Sequence, residues 1–191
     1  MKAVLLGCVI AGLVLLGASS ASANLLQNSS FETESSLGFN LAMNWKMNDP
    51  DDHGDSWGSA SRENWRAREG TFEATVRGTW GNGNDYGGWW QEAEIDSGQT
   101  YKFSGWFYAD EGWSAAVQEL KIEFWNIDRS QMLGSVVNKI EGVGADWVQQ
   151  SVEGYAPEGT AWARVVVNVS GIGANGALQF DNVALEIVPK P

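Results

Sequence analysis

Trp106 and Tyr108 share one face of an alternating run with Lys102 and Ser104, while Tyr101, Phe103, Gly105 and Phe107 take the other. A sheet normally turns its polar side to water. Large rings interleaved with Lys and Ser therefore imply a surface that stacks flat ligands. The same parity sets Trp125 beside Lys121 and Glu123, opposite Leu120, Ile122 and Phe124, and sets Trp162 beside Arg164 and Asn168, opposite Ala163, Val165, Val167 and Val169. Trp90 falls with Glu92 and Glu94, opposite Ala93 and Ile95. Trp80 and Tyr86 flank a glycine-rich loop that also carries Asn82, Asn84 and Asp85. Aromatic rings bordered by amides, carboxylates and Arg can hold a ring that has an apolar C–H face and a rim of hydroxyls. The competing reading of any one of these Trp residues is a second layer of core beneath a loop.

The acids and the single histidine offer less. Glu94-Ile95-Asp96-Ser97-Gly98-Gln99 resembles the Glu-x-Asp-x-x-Glu signature of jelly-roll glycosidases, in which acids on one strand face serve as nucleophile and proton donor. Here the last position is Gln99, which has no acid proton to give, and Gly98 ends the strand. Asp49-Pro50-Asp51-Asp52-His53-Gly54-Asp55 spaces its acids like half a calcium loop, but Ala60 stands where an EF-hand closes with Glu. It reads as a solvated loop. His53 alone is a thin basis for a triad or a zinc hydrolase. No Lys-Ser/Thr pair or helix follows the glycine-rich loop, so it is not a phosphate cradle.

The elements that must position these residues are strands. Eleven tryptophans, four tyrosines and seven phenylalanines in 191 residues exclude disorder and favour sheets, where aromatics fit. Alternation returns in 42–48, 70–77, 88–95, 100–108, 120–125, 133–140, 147–153, 160–170 and 177–187, while Ser59 to Arg68 is the one stretch read as helical or irregular. Many short strands with almost no helix predict a single all-β domain, a β-sandwich of the jelly-roll kind, over 24–191.

Residues 1–23 read as a secretory signal peptide, in which Lys2 precedes an apolar run and Ala21-Ser22-Ala23 precede the cut. Leu5-Leu6-Gly7-Cys8 precedes most of that run, so a lipoprotein site is set aside. The expected product is secreted, extracellular or periplasmic, with no membrane insertion. Cys8 is the only cysteine, so no disulfide or thiol chemistry is expected after the cut. The chain charge of -12 includes Lys2, and without it the charge is -13. Such a surface disfavours nucleic acid and anionic lipid and suits neutral or cationic ligands.

Asn24-Leu25-Leu26-Gln27-Asn28-Ser29-Ser30-Phe31-Glu32, Gly98 to Trp106, Ala156-Pro157-Glu158-Gly159-Thr160-Ala161 and Phe180-Asp181-Asn182-Val183-Ala184-Leu185 occur in that order. Together they resemble carbohydrate-binding modules of the CenC type, including the xylan-binding relatives. The resemblance implies a galactose-binding-like jelly roll, an aromatic-lined groove or face, and a structural calcium near the meeting of the chain ends. The acids it assigns to that calcium map onto Glu32 and Asp181. The resulting expectation is non-catalytic binding of a polysaccharide or oligosaccharide through Trp106, Tyr108, Trp125, Trp162, Trp80, Tyr86 and Trp90. A structural or adhesive surface protein is the second expectation, and a glycoside hydrolase ranks third.

Overall fold

A computed structural model describes residues 23–47, 59–81 and 85–189. The expected signal peptide, the acidic loop around His53 and residues 82–84 of the glycine-rich loop lie outside the described residues. Twelve strands run β1 (Glu34–Ser35), β2 (Gly38–Ala42), β3 (Lys46–Met47), β4 (Ala60–Glu63), β5 (Glu73–Arg77), β6 (Tyr86–Glu94), β7 (Thr100–Ala109), β8 (Ala115–Trp125), β9 (Met132–Lys139), β10 (Val148–Tyr155), β11 (Trp162–Ile172) and β12 (Ala177–Ile187). Among the described residues a single 3-10 turn, Thr79–Gly81, follows β5. The first two strands form a hairpin, and the rest form two five-stranded antiparallel sheets. Sheet I has the order β10-β7-β12-β5-β4, and sheet II the order β3-β6-β11-β8-β9. The architecture is the expected all-β sandwich of the jelly-roll kind.

The alternation read from the sequence decides which residues meet between the sheets. Phe103, Phe107, Phe180 and Leu185 of sheet I face Trp89, Leu120, Ile122, Phe124, Val165 and Val167 of sheet II, and all are fully buried. Phe31 plugs one margin, with ring centroids 4.9 Å from Trp45, 5.9 Å from Trp89 and 5.5 Å from Phe180. The chain ends meet there. Leu25 N–H donates to Leu185 O at 2.9 Å, and Val183 N–H to Ser29 O at 3.0 Å. Asn24 receives Leu185 N–H on Oδ1 and donates from Nδ2 to Val183 O.

Two local expectations change. Ser59 to Arg68 contains an edge strand before its irregular part, and its apolar period is missing because Arg62 takes an inward position. Arg62 is buried, and its guanidinium donates to the carbonyls of Phe31 at 2.6 Å and Glu32 at 2.8 Å. The alternation of 42–48 shortens to β3, because Asn44 adopts a φ of 69° and turns the chain.

Candidate functional site

The outer face of sheet II carries four of the seven expected aromatics, Tyr86, Trp90, Trp125 and Trp162. Arg164 on β11 pairs across the ladder with Glu92 on β6 and Glu123 on β8, and one row further Trp162 lies opposite Trp125. Arg164 donates to Glu92 Oε1 from Nε at 3.2 Å and from Nη2 at 2.9 Å, and its Nη1 lies 3.7 Å from Glu123 Oε2. The same guanidinium lies 4.4 Å from the Trp90 ring and 4.8 Å from the Trp125 ring. One cation therefore fixes two indoles and two carboxylates. Trp125 Nε1–H donates to Glu123 Oε2 at 3.2 Å, and Trp162 Nε1–H to Ile127 O at 3.2 Å. Tyr86 shares this face, four residues or roughly 13 Å along β6 from Trp90.

An open pocket of about 260 Å³ indents this face, lined by Gln27, Asn44, Lys46, Trp90, Gln91, Glu92, Arg129 and Trp162. Lys46 lies over Trp90 at 4.5 Å and Arg129 over Trp162 at 3.6 Å. Arg129 also pairs with Glu92 Oε2 at 3.0 Å. Cation–π contacts of this kind are worth about 0.5–1 kcal/mol at exposed sites and bias the indoles toward these orientations. Arg129 and Lys46 are exposed, whereas Arg164 is half-buried. Gln27 N–H donates to Gln91 Oε1 and Gln91 Nε2 to Gln27 O, which locks the pocket floor to the N-terminal segment.

Trp106 and Tyr108 lie on the other side of the molecule, on the outer face of sheet I. Residues 64–72 cross that face. Arg68 stacks on Trp106 at 3.9 Å and Arg66 on Tyr108 at 4.4 Å, and Tyr108 is 8 % exposed. Trp80, on the 3-10 turn, packs with Trp65 at 6.5 Å. The seven expected aromatics thus divide between two opposite faces. Parity places a residue in or out of its own sheet, and it carries no information on which of two sheets a strand joins.

The crossing segment is bound by three acids. Glu73 Oε1 accepts the N–H groups of Trp65 and Arg66 at 3.1 and 3.2 Å, and Asp181 Oδ2 those of Arg68 and Glu69 at 2.9 and 3.0 Å. Glu32 Oε1 accepts those of Thr71 and Phe72 at 2.9 and 3.0 Å. Gly70 has a φ of 74°, and a Cβ there would run into Glu32 Oε1, so glycine is required. Burial pushes the Glu73 carboxyl up to about 7, with Asp181 and Glu63 adding to the rise against its two amide hydrogen bonds. Asp181 is raised for the same first reason, opposed by its backbone hydrogen bonds and assisted by the charge of Glu32.

Glu32 and Asp181 therefore feel each other at the meeting of the chain ends. Carboxylate oxygens are the hard donors that calcium takes, and the buried Glu73 Oε2 beside them has no hydrogen-bond partner among the described residues. Among the described residues no group of three or more His, Cys, Asp or Glu side chains is placed to hold a metal ion. A calcium at this place would draw on backbone carbonyls as well as the two carboxylates.

The acids from Glu94 to Gln99 do not share a strand face, because β6 ends at Glu94 and the chain turns through Gly98 at a φ of 76°. Two residues of the two faces carried no usable sequence signal. Arg129 sits in a turn and Trp65 in an irregular segment, so no period marked them. Arg164 was legible by parity beside Trp162, but its bridging role depends on the neighbours that β6 and β8 bring.

No protein-family model matches the chain, and no curated protein matches it in sequence. Solved structures do match its fold. The enzymatically active domain of tailspike protein 4 of bacteriophage CBA120 gives a TM-score of 0.62 at 16 % identity, over 86 % of this chain and 21 % of the tailspike chain. A family 61 carbohydrate-binding module in complex with β-1,4-galactotriose gives 0.56 at 16 % identity, over 87 % of this chain and 100 % of the module. The CBM22-1 xylan-binding domain of Paenibacillus barcinonensis Xyn10C gives 0.56 at 15 % identity, over 91 % of this chain and 100 % of the domain. The chain thus spans about a fifth of the tailspike chain and the full length of both modules. The fold is a jelly-roll β-sandwich, shared by both modules and by the tailspike domain.

Proposed function

We propose that this chain is a non-catalytic module that binds a polysaccharide or oligosaccharide on the outer face of sheet II. The observation that carries this reading is the pocket itself, in which Trp90 and Trp162 stand beside Gln27, Asn44, Gln91, Glu92 and Arg129. Indoles offer apolar area to a sugar's C–H face, and the amides, carboxylate and guanidinium match its hydroxyl rim. Each stacked ring contributes about 1–2 kcal/mol, and two or three such contacts, less the ordering costs, give a Kd of about mM to tens of μM. Trp125 extends the platform one strand on from Trp162, and Tyr86 lies further along β6. The CenC type of module, export behind the signal peptide at 1–23 and a structural calcium on Glu32 and Asp181 belong to the same reading.

Binding without cleavage is supported by where the perturbed acids lie. Glu73 and Asp181, the carboxyls raised by burial, are fully buried beneath residues 64–72 on the opposite sheet. In the pocket, Glu92 is held by Arg129 and Arg164 as an acceptor. A glycan array probed with the purified protein, with and without chelator, tests the reading. Retention of a defined glycan without release of reducing sugar is expected. Release that a single carboxylate substitution abolishes would establish the hydrolase instead, and retention of no glycan would leave a structural or adhesive jelly roll.

A further inference from the structure

Across the outer face of sheet I, Ser61 on β4, Thr75 on β5, Gln179 on β12 and Tyr108 on β7 form one row, each the direct ladder partner of the next. Ser61, Thr75 and Gln179 are 1 %, 0 % and 1 % exposed. Their Ser61 Oγ, Thr75 Oγ1 and Gln179 Oε1 atoms nevertheless have no hydrogen-bond partner among the described residues. Buried polar atoms in native folds are almost always paired, and three adjacent exceptions ask for a missing partner. None of the three belongs to the pocket on sheet II.

The surroundings of the row resemble a binding site more than a core. Trp65 and Trp80 are 46 % and 55 % exposed, and their rings pack at 6.5 Å with 40° between planes. Trp80 is anchored by its Nε1–H on Gly176 O at 3.3 Å. The anchored Trp80 indole is pre-organised to stack a ligand, and the Trp65 ring packs against it. At the other end of the row Arg66 covers Tyr108 and lies 3.7 Å from Asp110, which in turn accepts Gln179 Nε2–H at 3.0 Å.

We propose that this face is a second binding site, separate from the pocket on sheet II, for a neutral sugar ring. The ring stacks on Trp65 and Trp80, and its hydroxyls pair with Ser61, Thr75 and Gln179. The ligand is uncharged because the open groups are two hydroxyls and an amide carbonyl. An anion would also meet Glu63, Glu73 and Asp181 in the next row of the same face. Trp65 heads the segment 64–72 that crosses the face, so the ligand reaches the row when that indole turns aside. The position of the site rests on the unpaired row, whereas the choice of a sugar rests on the reading of the chain as a carbohydrate-binding module.

The test follows the indole Nε1–H signals of the intact chain by NMR during titration with β-1,4-galactotriose and with xylohexaose. Shifts of Trp65 and Trp80 that saturate apart from those of Trp90 and Trp162 are the expected result. Thr75→Val should leave the melting temperature unchanged or raise it, since it removes an unpaired hydroxyl, while weakening binding at Trp65 and Trp80 about tenfold. A lower melting temperature with unchanged affinity would show that the hydroxyl is structural and would overturn the site. Shifts confined to Trp90, Trp125 and Trp162 would also overturn it and leave the sheet II pocket standing. Shifts confined to Trp65 and Trp80 would uphold this site and remove the sheet II pocket. Silence at both sets would remove both, and shifts of Trp65 and Trp80 with protein concentration alone would make the face a contact between copies.

Discussion

Asp181 Oδ2 accepts the backbone N–H of Arg68 at 2.9 Å across 113 positions of sequence, and so ties the last strand to the segment that crosses sheet I. Its other oxygen accepts the N–H of Asn182 at 2.7 Å, and Oδ2 also takes that of Glu69. Removing the carboxylate leaves three amide donors without their partner. Asp181→Ala should therefore cost about 3 kcal/mol or more, and Asp181→Asn less, because one acceptor oxygen remains. Denaturant unfolding measures the cost. Limited trypsin digestion should cut the variant at Arg66 and Arg68 sooner than the wild type, and equal cutting would mean that the segment is held by other contacts.

Glu73 gives the fold an acid-side dependence of stability. Its folded pKa, about 7, lies above the ordinary value of 4.5, so the folded state holds the proton more tightly than the unfolded chain does. That contribution is fully present below about pH 4.5 and is lost as pH rises through about 7, up to about 3 kcal/mol. Glu73→Gln keeps an oxygen for the amides of Trp65 and Arg66 and does not ionise. Melting curves in a chelating buffer should lose this slope in the variant, and a slope that survives would place the titration on another group.

Trp162→Ala should weaken glycan binding by about 1–2 kcal/mol and change stability by about 1 kcal/mol or less. Trp89→Ala should do the reverse in kind. Trp89 is fully buried and donates Nε1–H to Thr75 O at 3.2 Å, so its loss costs about 3–5 kcal/mol. Affinity electrophoresis and calorimetric melting separate the two effects. Unfolding caused by Trp162→Ala would make that indole a structural residue.

If calcium occupies the site proposed at Glu32 and Asp181, a concentration of 100 times its Kd stabilises the fold by about 2.7 kcal/mol. Chelator should then lower the melting temperature reversibly in the wild type and have little effect on Glu32→Gln. Indifference of the wild type to chelator would remove the metal from the reading.

The alternation of Tyr101, Phe103 and Phe107 against Lys102, Ser104 and Trp106 was enough to place those side chains in or out, because the strand period of two is local and one face had to be buried. Strand existence, the sandwich and the core were legible for the same reason. Ser59 to Arg68 was not, since Arg62 occupies an inward position made tolerable by the carbonyls of Phe31 and Glu32 and by the Phe72 ring. The sequence alone also determined that Trp90, Trp125 and Trp162 stand apart from their strands' apolar faces. Only the tertiary structure decided that these three share sheet II with Arg164 between Glu92 and Glu123, while Trp106 and Tyr108 lie on sheet I beneath residues 64–72. The physical reason is that sheet membership is set by pairings between strands far apart in the chain, and no local period records which strand becomes the neighbour.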